Sequence, residues 1–149
     1  MVQEVVPTAG VVVYNKDEVL LVRHEEGSGH PTGTYGIPSG KIKANENGLE
    51  AALRKLTAET GLEAHRENLI KIPRLYTATI NGKKWQKTFS LEVYVCSLFR
   101  GTIRKAPDES PEWIKILNIL NDEAHFAFLP NTKQIIRDGL VYLGPLQEP

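Results

Sequence analysis

Cysteine is nearly absent from this sequence: Cys96 is the only one in 149 residues. One thiol forms no internal disulfide, and no Cys/His cluster has the spacing of a zinc site. Cys96 lies in the apolar run Val93-Tyr94-Val95-Cys96 and reads as a small core residue. An excess of charge is also lacking, with 18 Lys plus Arg against 18 Asp plus Glu. A dedicated nucleic-acid-binding protein gains affinity by neutralising many phosphates, so zero net charge argues against that class. A small phosphorylated ligand needs only a local basic patch and stays open. No apolar stretch approaches the ~20 residues that span a bilayer. Met1-Val2-Gln3-Glu4 opens no basic segment followed by an apolar one. A membrane partner is therefore not expected, and a cytoplasmic location is the default.

What is present fits an ordinary globular chain, 41% hydrophobic and 24% charged. The length suits a single domain over residues 1–149 with a real core. Val5 to Tyr14 is rich in strand formers, Asn15-Lys16-Asp17 is a turn, and Val19 to Val22 is a second strand completing a hairpin. Glu25 to Gly40 carries five glycines and two prolines and reads as a long loop. Loops of that length inside a compact domain are more often functional than idle.

A helix follows. Asn45 or Asn47 can cap its start, Leu49, Ala52, Leu53 and Leu56 have helical apolar spacing, and Gly61 ends it. Leu69 to Ile80 and Trp85 to Phe99 are long strand-forming runs around the hairpin turn Asn81-Gly82. Gly101 to Pro111 is a polar loop, Glu112 to Ile116 a short strand, and a last helix from Asn131 carries Ile135, Ile136, Leu140, Val141 and Leu143 inward. Strands, a central helix, more strands and a terminal helix predict an α+β fold.

The order of residues from 40 to 62 narrows this further. Gly40, Glu46, Arg54, Leu56, Glu59, Gly61 and Leu62 fall in register with the pattern G-x5-E-x7-R-E-U-x-E-E-x-G-U, where U is a bulky aliphatic residue. The flanks Gly33-Thr34-Tyr35-Gly36-Ile37-Pro38 and Pro111-Glu112-Trp113 also fit. The chain resembles the Nudix (MutT-like) hydrolase family over nearly its whole length. The resemblance implies a mixed β-sheet sandwiched between helices (α/β/α). It also implies hydrolysis of the diphosphate linkage of a nucleoside diphosphate derivative, assisted by Mg²⁺ or Mn²⁺. A divalent cation offsets the charge that repels incoming hydroxide and lowers the pKa of bound water. Hard cations of this kind want clustered oxygen ligands.

The box is degenerate. In the family, the positions of Lys55, Ala58 and Glu59 are all Glu and supply the main metal ligands or the water-activating base. Only Glu59 remains, so weak metal binding is expected. Lys55 lies one turn before Glu59 on the same helical face. It is either a built-in cation in the space of one metal or a solvated i,i+4 partner. The family arginine orients a catalytic Glu; Arg54 must find another partner, and Glu50, four residues earlier, is the expected one.

Other acids are candidates to fill the gap. Glu92 lies on the second long strand, and Asp108, Glu109 and Glu112 lie in or beside the polar loop. The expected catalytic set is Glu59, Arg54 and Lys55. The expected metal set is Glu59, Glu92, Glu112 and the backbone carbonyl of Ser39. For substrate, Arg23 is placed to meet phosphate, Tyr35 to stack on a base, and Gly40 belongs to the turn that opens the box. Each of these side chains also has a plain structural reading as surface charge or packing. Trp85, Phe89, Tyr94 and Trp113 read as structural. His24 and His30 flank the long loop, and the four histidines, with His65 and His125, form no ligand pair in sequence.

Two functions stay open: a hydrolase of nucleotides or nucleotide sugars, and a Nudix-fold module that holds a nucleotide without cleaving it. Many members of the family pair through their sheets, which makes a homodimer compatible with the chain.

Overall fold

The computed structural model describes residues 4–81, 84, 86–121 and 126–143. Gly82 of the expected hairpin turn, Trp85 and His125 lie outside the described residues. Strand β1 (Glu4–Asn15) is followed by β2 (Glu18–His24), β3 (Tyr35–Gly36), β4 (Ser39–Lys41) and helix α1 (Gly48–Thr60). Then come β5 (Leu69–Asn81), β6 (Gln86–Cys96), β7 (Glu109–Lys115), α2 (Ile116–Leu120) and α3 (Thr132–Leu140). None of these helices is long and apolar enough to cross a membrane.

The sheet runs β3-β2-β1-β6-β5, with β4 also on β1 and β7 also on β2. β1 pairs in parallel with β6 over Glu4–Val13 and antiparallel with β4 over Thr8–Gly10. Its last residues, Tyr14 and Asn15, turn to β2. A strand paired on both edges and covered on both faces needs apolar side chains throughout. Val11-Val12-Val13-Tyr14 supplies them, and all four are buried.

Each face has its own core. Val12, Tyr14, Val19, Leu21, Tyr76, Val93, Ile135 and Ile136 pack on the α3 side. Val11, Val13, Leu20, Ala51, Ala52, Leu56, Leu62 and Cys96 pack on the α1 side. The result is the expected sandwich of a mixed sheet between helices.

Helix α1 starts on a reciprocal cap. The Glu50 N–H donates to Asn47 Oδ1 and the Asn47 N–H donates to Glu50 Oε1, both at 2.9 Å. Such a cap contributes about 1 kcal/mol. It also corrects the expected Glu50–Arg54 pair, because Glu50 is spent on the cap. Gly61 ends the helix at φ 86°, in the left-handed region where a Cβ is strained.

Other local readings shift. β7 begins at Glu109, inside the segment expected to be loop, and pairs with β2 from Glu18 to His24. Pro111 is tolerated there because β7 is an edge strand, where a missing N–H costs no ladder bond. Helix α2 was not expected; five residues are too few for a helical period to show. Its Ile116 and Ile119 are buried one turn apart. Val141, expected to face inward, is 77% exposed, because α3 ends at Leu140 and the chain continues in a tighter turn.

Candidate active site

The site lies where the last turn of α1, the start of β4, the end of β2 and the start of β7 meet. Glu59 is its centre. It is 5% exposed, unusual for a carboxylate. Its Oε1 accepts a hydrogen bond from the Ser39 N–H at 3.0 Å. The Lys55 ammonium stands 3.7 Å from Oε2. Burial raises the Glu59 carboxyl, and a hydrogen bond to Glu109 with that neighbour's charge raises it further, to about 8. A like charge beside a buried carboxyl disfavours its ionised form, which is why Glu109 acts on Glu59 in the same direction as burial.

Gly40 makes the approach of Lys55 possible. A Cβ there would lie 2.0 Å from Lys55 Cε, so the lysine stem lies over bare backbone. Its side chain is 28% exposed, which sets it apart from a fully solvated i,i+4 partner.

Arg54 points elsewhere. Its Nε donates to Glu46 Oε2 at 3.1 Å, its Nη2 to the other Glu46 oxygen, and its Nη2 also to the Lys41 carbonyl at 3.0 Å. It ties the loop that opens the box to the helix that ends it. The guanidinium, with the Lys43 N–H, holds the Glu46 carboxyl down to about 2.

The other expected acids are not brought to Glu59. Glu92 sits beside Gly48, the first residue of α1, where a Cβ would lie 2.2 Å from its carboxylate. It accepts from Tyr94 Oη at 2.7 Å and meets Lys71 Nζ at 3.5 Å. Eleven residues of helix separate Gly48 from Glu59, about 16 Å at 1.5 Å per residue. Glu92 therefore faces the wrong end of α1. Glu112 lies opposite Leu21, on the α3 side of the sheet, and accepts from Tyr35 Oη at 3.2 Å. Side chains alternate along a strand, so residues three apart point to opposite faces. Glu112 and Glu109 therefore diverge, and Glu109 is the acid that reaches Glu59.

Arg23 and Tyr35 are register partners on β2 and β3. Arg23 pairs with Glu25 at 3.2 Å and is 42% exposed. Tyr35 packs edge-on against Phe126 and belongs to the α3-side core.

Two histidines complete the site. His24 ends β2 opposite Glu109, and its ring lies 4.4 Å from that of His30. His24 Nδ1 is buried without a hydrogen-bond partner, 3.9 Å from Glu109 Oε2. Desolvation lowers both imidazoles below the usual histidine range. Beside Ser39 and Gly40, on the other side of that backbone, lies a cleft of about 220 Å³. Ile37, Tyr76, Phe89, Leu91 and Leu129 give it apolar walls, and His30 stands at its edge.

Residues 5–134 match the NUDIX domain family. The chain belongs to the Nudix family. Glu59, Lys55 and Ala58 lie within the matched segment. A 56-residue segment is 41% identical to Nudix hydrolase 6 of Arabidopsis thaliana, covering 36% of this chain and 20% of that protein. The chain thus matches only about a fifth of that relative. The MutT Nudix hydrolase of Burkholderia pseudomallei superposes with a TM-score of 0.73 at 19% identity, over 91% of this chain and 98% of the other. A bifunctional NMN adenylyltransferase/ADP ribose pyrophosphatase of Francisella tularensis, solved with AMP and a manganese ion, gives a TM-score of 0.69 at 21% identity. That match covers 93% of this chain and 42% of the other. At these identities the structural likeness is one of fold.

Proposed function

We propose that this Nudix chain is a divalent-metal-dependent hydrolase of the diphosphate linkage in a nucleoside diphosphate derivative. The observation that carries this reading is the buried Glu59 carboxyl with the half-buried Glu109 against it, beside the unpartnered His24 nitrogen. A stable core has no use for two carboxyl groups forced together; a cation site does. Among the described residues no three acidic or imidazole side chains already form a ligand group; the oxygen donors that would hold Mg²⁺ or Mn²⁺ are Glu59, Glu109 and the Ser39 backbone carbonyl. When bound, the cation supplies charge neutralisation of the diphosphate and a more acidic water.

The chain's own residues do the rest. Lys55 presents a fixed ammonium beside Glu59, in place of a carboxylate. It draws phosphate oxygens toward the site while weakening the affinity for a cation. Arg54 is a positioning residue, holding the box loop through Glu46 and Lys41. Gly40 leaves room for Lys55. The apolar cleft beside Ser39 takes the nucleoside part, whose flat base suits walls of Phe89, Leu91 and Tyr76. Arg23 meets phosphate at the loop edge, with Tyr35 fixed behind it by Glu112. Glu92 and Glu112 are structural in this reading. The substrate is a small nucleotide or nucleotide sugar in the cytoplasm.

The second reading, a nucleotide-binding module without turnover, is favoured by Lys55 and Ala58, which remove two acids from α1. A diphosphatase screen separates the two, using nucleoside triphosphates, nucleotide sugars and ADP-ribose with Mg²⁺ or Mn²⁺. Metal-dependent turnover of any of these supports the hydrolase. Nucleotide binding with no turnover above background leaves the module.

A further inference from the structure

In the cleft beside Ser39, most polar side chains are already engaged within the protein. The Thr8 hydroxyl donates to the Ser90 carbonyl at 2.7 Å, and the Thr132 hydroxyl to the Leu129 carbonyl at 2.8 Å. The Tyr76 hydroxyl donates to Asp138 Oδ2 at 2.5 Å, and Asn131 Nδ2 to the Thr77 carbonyl at 3.0 Å. All four of these donor residues line the cleft. With its nitrogen engaged, the Asn131 amide offers the cleft only an acceptor oxygen. Of the lining side chains that keep a donor, His30, Lys41 and Thr77 are exposed, and Ser39 adjoins Glu59. The other walls are hydrocarbon, from Ile37, Phe89, Leu91, Leu129 and Ile135. Leu129 is held firmly: a Cβ on Gly36 would lie 2.8 Å from its Cδ1, and its N–H donates to the Tyr35 carbonyl at 2.9 Å.

We propose that the chain has a further activity, hydrolysis of the diphosphate ester of an apolar alcohol, with the hydrocarbon in this cleft and the diphosphate at Glu59 and Lys55. This rests on the reading of the Glu59 site as a diphosphate hydrolase and adds a second occupant for the cleft. A nucleobase brings ring nitrogens that lose water on entry and need donors in return. Inner walls whose donors are engaged return few of those bonds. A hydrocarbon chain gains by leaving water and needs no hydrogen bond. Ser39 joins the two halves of the site: it lines the cleft, and its N–H donates to Glu59 Oε1 at 3.0 Å. A charged site with an apolar cleft at its side matches a substrate with a charged head and an apolar tail. In the reaction, water attacks one phosphorus and the P–O–P bridge breaks. The products are the monophosphate of the alcohol and inorganic phosphate, and the two protons of water end on their oxygens. No bond to carbon breaks, and nothing is oxidised or reduced.

The test is a comparison of two substrates that differ by one isoprene unit, dimethylallyl diphosphate and geranyl diphosphate. The full chain is assayed on both with Mg²⁺ or Mn²⁺, beside the nucleoside triphosphates, nucleotide sugars and ADP-ribose, and the products are separated by chromatography. The expected result is geranyl monophosphate and inorganic phosphate, with kcat/KM about tenfold or more above that for dimethylallyl diphosphate, the scale of added hydrocarbon in an apolar pocket. Leu91→Gln, which puts an amide into the cleft, lowers that ratio about tenfold. Equal kcat/KM for the two diphosphates overturns the inference, as does an unchanged ratio in Leu91→Gln. The wild-type ratio alone decides if Leu91→Gln fails to fold. Release of geraniol and pyrophosphate overturns the step at phosphorus. Turnover of a nucleotide with none of geranyl diphosphate overturns this inference and leaves the nucleotide hydrolase standing. No turnover of any of these compounds overturns both together.

Discussion

The ammonium of Lys55 stands 3.7 Å from the carboxyl group of Glu59, with its stem laid over Gly40. A cation is thus fixed beside the acid that the Nudix box retains. Restoring the two missing acids with Lys55→Glu and Ala58→Glu is expected to tighten Mn²⁺ binding about tenfold or more, since ligand charge count tunes cation affinity. Manganese titration of the double variant checks this. An unchanged affinity would show that the α1 face does not set the strength of the site.

Glu59 also leaves a signature in metal-free stability. Its carboxyl is raised to about 8 by burial and by Glu109, against an ordinary value near 4.5. The folded chain therefore holds a proton that the unfolded chain releases. Below the ordinary value both states are protonated and nothing is lost. Between there and about 8 the folded state is progressively penalised. Glu59→Gln removes this term, so its stability advantage over the wild type grows as pH rises through that window. Urea unfolding with chelator at pH 5, 7 and 9 measures it. A constant difference between the two proteins across that range contradicts the raised Glu59 carboxyl.

Glu46 gives the opposite sign. Arg54 and the Lys43 N–H hold its carboxyl down to about 2. Its contribution is fully present above the ordinary carboxylate value and is lost as pH falls from there toward 2. Glu46→Gln is expected to flatten the acid limb of the stability curve over that window. The same variant lowers kcat while leaving Mn²⁺ affinity unchanged, because Arg54 ties the loop to the helix through Glu46 and Lys41 and is not among the groups proposed to hold the cation.

Much of this architecture was legible in the order of residues. Helix α1 announced itself through a capping Asn at 45 or 47, its apolar spacing and Gly61, all local signals, and the structure gives the cap to Asn47. The strand that the two cores share was legible in Val11-Val12-Val13-Tyr14; that both of its faces are covered is seen only in the structure. The acid partner of Glu59 was not legible. Asp108, Glu109 and Glu112 lie within five residues of one another, and only the β2–β7 register decides which of them faces α1. That register depends on β7 beginning at Glu109, inside a segment whose composition reads as loop. His24 was hidden for a similar reason: its neighbour Glu109 is 85 residues away in the chain. Arg54 found Glu46 instead of Glu50 because Glu50 was more useful as a helix cap. Helix α2 was too short to show a period.

The central claim is that Glu109 replaces the carboxylates missing from the box. Metal-dependent kcat for Glu109→Gln and Glu112→Gln, measured side by side on a nucleoside diphosphate derivative that the wild type cleaves, tests it most directly. The account predicts a loss of roughly a hundredfold or more for Glu109→Gln, the scale of removing a group that holds charge at the reacting centre. It predicts only a few-fold change for Glu112→Gln, which lies on the other face of β7. A large loss in Glu112→Gln with near-normal turnover in Glu109→Gln would contradict it.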